Sequence, residues 1–169
     1  MPGGAADVAK AKEAGAPAVA NVLALLAQYP ALSKAFLTFN KHLLSRSSLS
    51  ARVRELAILR VSWLRRAEYE WAQHAVLAEK RAGVSREEID AVKEGPTASV
   101  WPPLESAILR AVDELHADAF VGDATWDALS AGLDERQLMD LVFTVGAYDL
   151  LAMAFKTFGL ELDPGLEGF

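Results

Sequence analysis

Glu55, Glu70, His74 and Asp149 are ionisable residues set among apolar neighbours, where an acid or a base is costly unless it is paired or useful. Glu70 precedes His74 by four residues, so on an α-helix the two lie one turn apart on the same face. A carboxylate placed there can hold one ring nitrogen and leave the other free to give or take a proton near neutral pH. The same spacing is also an ordinary stabilising helix pair. Ala67, Ala75, Ala78 and Ala82 form a stripe of small side chains beside His74, which lets a helix or a ligand approach, and Trp71 and Tyr148 are candidate walls of a pocket. Glu55 shares its helix face with Ile58, Leu59 and Ser62. The short connection near Arg66 should make its helix a neighbour of the one carrying His74, so Glu55 can face Glu70 and His74. Two carboxylates in one dry site separate their pKa values, and one becomes a proton donor. The alternative for Glu55 is a salt bridge to Arg52 or Arg66. Asp149 is the only formally charged side chain from Leu141 to Phe155 and is either buried with a partner, at a subunit contact or lining a pocket.

The other two histidines carry less. His42, in Asn40-Lys41-His42, is expected on the polar side of its helix, and His116, three residues after Asp113, on a solvated face. The Asp113 to His116 spacing suits a metal-binding helix, but no Glu-x-x-His partner motif accompanies it. Glu55, Glu70 and His74 are not a recognised ligand set either, so no metal is expected.

The chain has 169 residues and no cysteine, which removes disulfides, thiolate nucleophiles, cysteine-ligated metals and dithiol redox chemistry. A formal charge of −6 argues against nucleic acid as a partner. The start, Met1-Pro2-Gly3-Gly4, lacks the features of a secretory signal, and no run of uncharged apolar residues reaches membrane-spanning length. No membrane segment is expected, and the default location is cytoplasmic.

Positioning these residues falls to helices, because no alternating strand pattern of useful length appears. Residues 1–16 read as a loosely ordered lead-in and residues 17–169 as one all-α domain of seven or eight helices. The first helix is expected from Pro17 to about Gln28 and the second from Pro30 to Ser45. Ser50 can cap a third, running to Arg65 or Arg66, and a fourth spans about Ala67 to Ala82 before Gly83. Ser85-Arg86-Glu87-Glu88 is a capping box for a short helix ending near Gly95-Pro96. Trp101-Pro102-Pro103 leads into a helix ending around Ala119, Asp123 can cap a short one up to Gly132, and Asp134 to Gln137 opens a long apolar helix ending at Gly159.

Arg54-Glu55-Leu56-Ala57-Ile58-Leu59-Arg60-Val61, then Tyr69-Glu70-Trp71-Ala72-Gln73-His74 and Ala82-Gly83-Val84-Ser85, resemble the carboxymuconolactone decarboxylase family, whose superfamily includes alkylhydroperoxidase D. The resemblance is strong over residues 50–90 and looser from Tyr29 to Pro164. It implies an alkylhydroperoxidase D-like compact orthogonal helical bundle and a trimeric or hexameric homo-oligomer, for which Leu141 to Phe155 would suit a buried contact. In the peroxidase branch the pattern is a glutamate, a Cys-x-x-Cys pair and a histidine; these fall on Glu55, on Ala67 and Glu70, and on His74. Both redox sulfurs are absent, so a disulfide cycle cannot run. The resemblance then implies the decarboxylase-like branch: cofactor-free proton transfer or loss of CO2 on a small oxygenated acid or lactone, in aromatic-compound catabolism. His74 would be the general acid–base, Glu70 would orient it, and Glu55 would donate or shuttle a second proton. Arg52, Arg66 and Arg81 are the candidates for holding a substrate carboxylate, with Trp71, Tyr148 and Asp149 around the substrate. The competing reading is a non-catalytic oligomeric binding protein on the same scaffold.

Overall fold

The structure is a computed structural model that describes residues 20–169. The lead-in over residues 1–16 and the helix start at Pro17 lie outside the described residues. Eight helices are described: α1 (Asn21–Leu26), α2 (Pro30–Ser45), α3 (Ala51–Leu64), α4 (Glu68–Arg81), α5 (Arg86–Glu94), α6 (Pro103–Asp118), α7 (Asp123–Ser130) and α8 (Glu135–Thr157). There is no strand among the described residues.

The helix ends follow local chemistry. Ser50 Oγ accepts from the Val53 N–H, and Ser85 with Glu88 and Asp134 with Gln137 form reciprocal capping boxes. Asp123 is not a cap. Gly122 holds that position, and its N–H donates to Glu114 Oε2 at 2.9 Å while the Thr125 hydroxyl donates to Glu114 Oε1 at 2.7 Å. The Glu114 carboxylate on α6 thereby anchors the start of α7, which has no side-chain cap.

α3 is the axis of the bundle and packs against α4, α5, α6 and α8. Every residue from Glu55 to Ser62 is buried, so its polar side chains must find partners inside the protein. Ser62 Oγ donates to the Ile58 carbonyl at 2.7 Å. Arg60 donates from Nε and Nη2 to the two carboxylate oxygens of Asp113, at 2.6 and 3.0 Å, and from Nη1 to the Val92 and Lys93 carbonyls.

The turn from α3 into α4 is a Schellman motif: the Ala67 N–H bonds the Ser62 carbonyl at 2.9 Å and the Arg66 N–H bonds the Trp63 carbonyl at 3.1 Å. Arg66 occupies the left-handed position, φ 54°, that glycine usually fills. Its guanidinium lies 4.4 Å from the Trp63 ring centroid, a cation–π contact that offsets the backbone cost. This tight turn sets α4 directly beside α3.

α8 is long and apolar enough to cross a membrane by length and composition alone. It runs for 23 residues, beyond the Leu141 to Phe155 stretch that seemed short in sequence. Its window is half buried inside the protein, and Asp140 and Asp149 on it are bonded within the chain. It is a core helix with one face still uncovered: Met139, Phe143, Leu150 and Met153 are each more than half exposed.

Removing the Arg60 side chain would leave Asp113 and two carbonyls without their donor. Arg60→Ala is expected to cost about 3 kcal/mol, the lower end for breaking a buried ion pair because Asp113 is part exposed. Urea unfolding of the variant against the native chain measures it.

Candidate active site

α3 and α4 bring Glu55 and His74 together in the interior. Glu55 Oε2 lies 2.6 Å from His74 Nδ1, and the side chains are 4% and 9% exposed. This distance is that of a charge-assisted hydrogen bond, and it fixes the imidazole with Nδ1–H toward the carboxylate. His74 Nε2 has no hydrogen-bond partner among the described residues. The Tyr148 ring from α8 packs against the imidazole, with centroids 4.9 Å apart and planes at 88°, which holds the ring's plane as Glu55 holds its edge. Burial pushes the Tyr148 hydroxyl well above its ordinary pKa, and the Glu55 and Glu70 carboxylates push the same way.

The expected roles of the two glutamates are exchanged. Glu70 lies one turn before His74 on the same helix but makes no hydrogen bond to it. A Glu at that spacing runs alongside the ring, whereas Glu55 meets Nδ1 end-on from the neighbouring helix. Glu70 is 2% exposed, and neither carboxylate oxygen has a partner among the described residues. Burial pushes its pKa up to about 9, with the Asp149 charge adding to the shift, so Glu70 is a neutral acid at neutral pH. The charge that adds to the Glu70 shift is that of Asp149, where the sequence spacing points to Glu55.

The arginines lie elsewhere than expected. Arg52 donates to Glu105, Glu88 and the Gly83 carbonyl, Arg66 is exposed and stacks on Trp63, and Arg81 is exposed in the last turn of α4. None of these three contacts the Glu55–His74 pair. The guanidinium that does is Arg54, whose Nε and Nη2 both lie 3.3 Å from Glu55 Oε1. Helical projection set Arg54 a quarter-turn from Glu55 and so missed it; a long side chain bridges that angle to its sequence neighbour.

Asp149 takes the first of its three possibilities and is part-buried with a partner, Arg65, whose Nη2 donates to Oδ2 at 2.6 Å. Its other oxygen lies 4.0 Å from His116 Nδ1, which is buried and has no hydrogen-bond partner among the described residues. His116 is therefore half-buried against α8 rather than on a solvated face, and Asp113 turns to Arg60 instead. His42 is largely exposed, as expected, with Nε2 at 3.0 Å from Asp140. Trp71 makes its ring contacts with Trp63 and Phe169, centroids 5.8 Å away in each case, and with the Lys93 ammonium. It is a wall of the α3–α4–α5 core, and Tyr148 is the aromatic ring on His74. Tyr69, next to Glu70, donates its hydroxyl to Asp163 at 2.8 Å and ties the C-terminal segment down. Among the described residues no three His, Asp or Glu side chains converge as a metal site.

The sequence pattern of the carboxymuconolactone decarboxylase family matches residues 30–114 of the 169. Among solved structures, the chain is similar to a protein of unknown function from Agrobacterium tumefaciens described as a putative antioxidant defence protein AhpD (TM-score 0.74, 20% identity, covering 80% of this chain and 93% of that one). It is similar to an alkylhydroperoxidase AhpD core protein from Ralstonia eutropha (TM-score 0.73, 24% identity, 96% and 90% covered). It also resembles a peroxidase-related protein from Silicibacter (TM-score 0.76, 16% identity, 91% and 81% covered). At these identities the likeness is one of fold, an all-α alkylhydroperoxidase D-like bundle. A search of curated proteins gives no match.

A protonated Glu70 makes stability pH-dependent. Below about pH 4.5 folded and unfolded chains both hold the proton; between there and about pH 9 only the folded chain keeps it, so stability falls as pH rises. Glu70→Gln removes the ionisation and is expected to match the native chain near pH 4, then exceed it by on the order of 3 kcal/mol at about pH 7, a Tm gain of several degrees. Thermal melts of both chains across that range measure it; a Tm difference independent of pH contradicts a neutral Glu70.

Proposed function

The chain belongs to the carboxymuconolactone decarboxylase family, and from that premise we propose that it is a cofactor-free acid–base enzyme that moves a proton, with or without loss of CO2, on a small oxygenated acid or lactone. The observation that carries the reading is the 2.6 Å Glu55–His74 hydrogen bond, buried and leaving Nε2 unengaged. Glu55 stabilises the imidazolium that forms when Nε2 takes a proton, as a buried carboxylate does for a catalytic histidine. Glu70 is a second, neutral acid on the same helix. A base and an acid with opposite protonation states in one site are what an enol or enolate intermediate requires: one removes or returns the proton on carbon, the other meets the charge growing on oxygen. Thiol peroxidase chemistry has no atoms to run on, since Ala67 and Glu70 occupy the positions at which the family resemblance places the two sulfurs. The reaction fits the breakdown of aromatic compounds, in which such lactones and keto acids arise.

A thermal-shift screen of lactones, keto acids and aromatic-degradation acids, followed by mass spectrometry of what is consumed, identifies the substrate. On that substrate His74→Ala and Glu55→Gln are each expected to lower kcat by about 10²- to 10⁴-fold. Turnover unchanged in both variants would sink the assignment.

The second reading, a homo-oligomer with or without catalysis, is favoured by the uncovered face of α8. Met139, Phe143, Leu150 and Met153 recur at alternating four- and three-residue spacing, the seam by which one helix packs on another, with Gly146 between them. Light scattering after size exclusion is expected to give an oligomer for the native chain and a monomer for Phe143→Asp; a native monomer removes this reading.

A further inference from the structure

A buried carboxylate 2.6 Å from an imidazole nitrogen can leave the pair in either of two states. With no other charge at hand, the carboxylate draws a second proton onto the ring, and an imidazolium has no lone pair with which to take another. With its charge already balanced, the same carboxylate orients a neutral ring, protonated at Nδ1 and bare at Nε2. Only the second state is a base.

Glu55 has such a balance. Arg54, which is always charged, sets Nε and Nη2 both 3.3 Å from Oε1, while Oε2 is the oxygen that meets His74. One oxygen goes to a cation and the other to the ring, which also fixes the rotation of the carboxylate about its last bond. The side chains of Arg54, Glu55 and His74 are 16%, 4% and 9% exposed, so solvent screens this arrangement weakly. The other charged groups around the ring are engaged elsewhere or neutral. On α4, Glu70 lies one turn before His74, and burial keeps its proton on to about pH 9. On α8, burial keeps the Tyr148 hydroxyl protonated, and Asp149 is paired with Arg65 and stands 4.0 Å from His116 of α6. On α5 the Lys93 ammonium lies over the Trp71 ring, and Asp163 of the C-terminal segment accepts from Tyr69 and Gln73. Among the described residues Arg54 is the one charged group bonded to the Glu55–His74 pair.

We infer that Arg54 is a positioning residue: it balances and turns the Glu55 carboxylate so that His74 rests as a neutral imidazole with Nε2 unprotonated. The inference rests on the acid–base reading above and supplies what that reading needs, a base in its working form at neutral pH. Without Arg54 the balance falls to the pair itself, carboxylate against imidazolium. The hydrogen bond would survive and the base would be lost.

Nitrogen-15 NMR of the histidine rings tests this without a substrate, because the two nitrogen shifts distinguish the Nδ1–H tautomer, the Nε2–H tautomer and the imidazolium. The chain has three histidines, and the signals missing from His74→Ala are those of His74. The native chain is expected to show the Nδ1–H tautomer at about pH 7. Arg54→Gln is expected to show the imidazolium there, with the change to the neutral ring moved up by about one pH unit or more. Both guanidinium nitrogens converge on a single oxygen, so a point charge can replace the fork, and Arg54→Lys is expected to restore the neutral ring. The native chain is a test in itself, whether or not the variants fold: an imidazolium at about pH 7 overturns the inference together with the acid–base reading, since such a ring cannot take a proton. A neutral ring protonated at Nε2 overturns the orienting role. Arg54→Gln titrating with the native chain overturns the inference and leaves the acid–base reading standing. An imidazolium in Arg54→Gln and Arg54→Lys alike assigns the effect to packing rather than charge and overturns the inference as well. Failure of the acid–base reading is seen separately, as turnover that survives His74→Ala.

Discussion

The hydrogen bond between Glu55 and His74 can exist only because α3 is buried on all sides. A helix with no solvent face has nowhere to send a carboxylate, so Glu55 must be ionised and paired or be neutral. His74 supplies the pairing from α4, and α4 is within reach because the Schellman turn at Arg66 folds it straight back onto α3. The order of dependence therefore runs from the turn to the helix pair, and from the helix pair to the dyad. Trp63 enters that chain indirectly: its ring supports the Arg66 guanidinium, and Arg66 holds a backbone conformation in which its own side chain is a liability. A residue far from the imidazole thus helps decide where the imidazole sits.

Most of the interior is satisfied; among the described residues the buried side-chain atoms without a partner are both Glu70 oxygens, Asn40 Oδ1, His116 Nδ1 and Thr144 Oγ1. Arg60 closes on Asp113 and two carbonyls, Ser62 on its own helix, Asp163 on Tyr69 and Gln73, and Glu114 on the start of α7. Against that background Glu70 is an exception: a buried carboxyl with two idle oxygens, in a protein that elsewhere finds partners even for main-chain carbonyls. Burying an unpartnered acid opposes folding. The same low dielectric that makes Glu70 costly strengthens any hydrogen bond it gives to a growing negative charge.

The helices were legible because their signals are local. Caps at Ser50, Ser85 and Asp134, the stop at Gly83 and the prolines before α6 act over three or four residues, and sequence contains all of that information. Glu55, Glu70 and His74 were legible as a group because helical spacing and a short turn confine them to one region. Which glutamate touches the ring was not, since that depends on the angle between α3 and α4 rather than on spacing along either. The arginines failed for a related reason. Long side chains choose partners across helices, so Arg52 went to Glu88 and Glu105, and Arg54, set aside on a helical projection, reached Glu55. Of the two aromatic candidates, Tyr148 packs on the His74 ring, a contact set by the packing of α8 rather than by local spacing, and Trp71 turns to Trp63 and Phe169.

Glu70 shows how this interior acts on a titratable side chain. The position one turn before the histidine is dry, close to the imidazole's edge and short of hydrogen-bond donors. An acid there is pushed toward holding its proton, a thiol as much as a carboxyl. Burial and the Asp149 charge do so for Glu70, which is thereby a hydrogen-bond donor rather than a carboxylate.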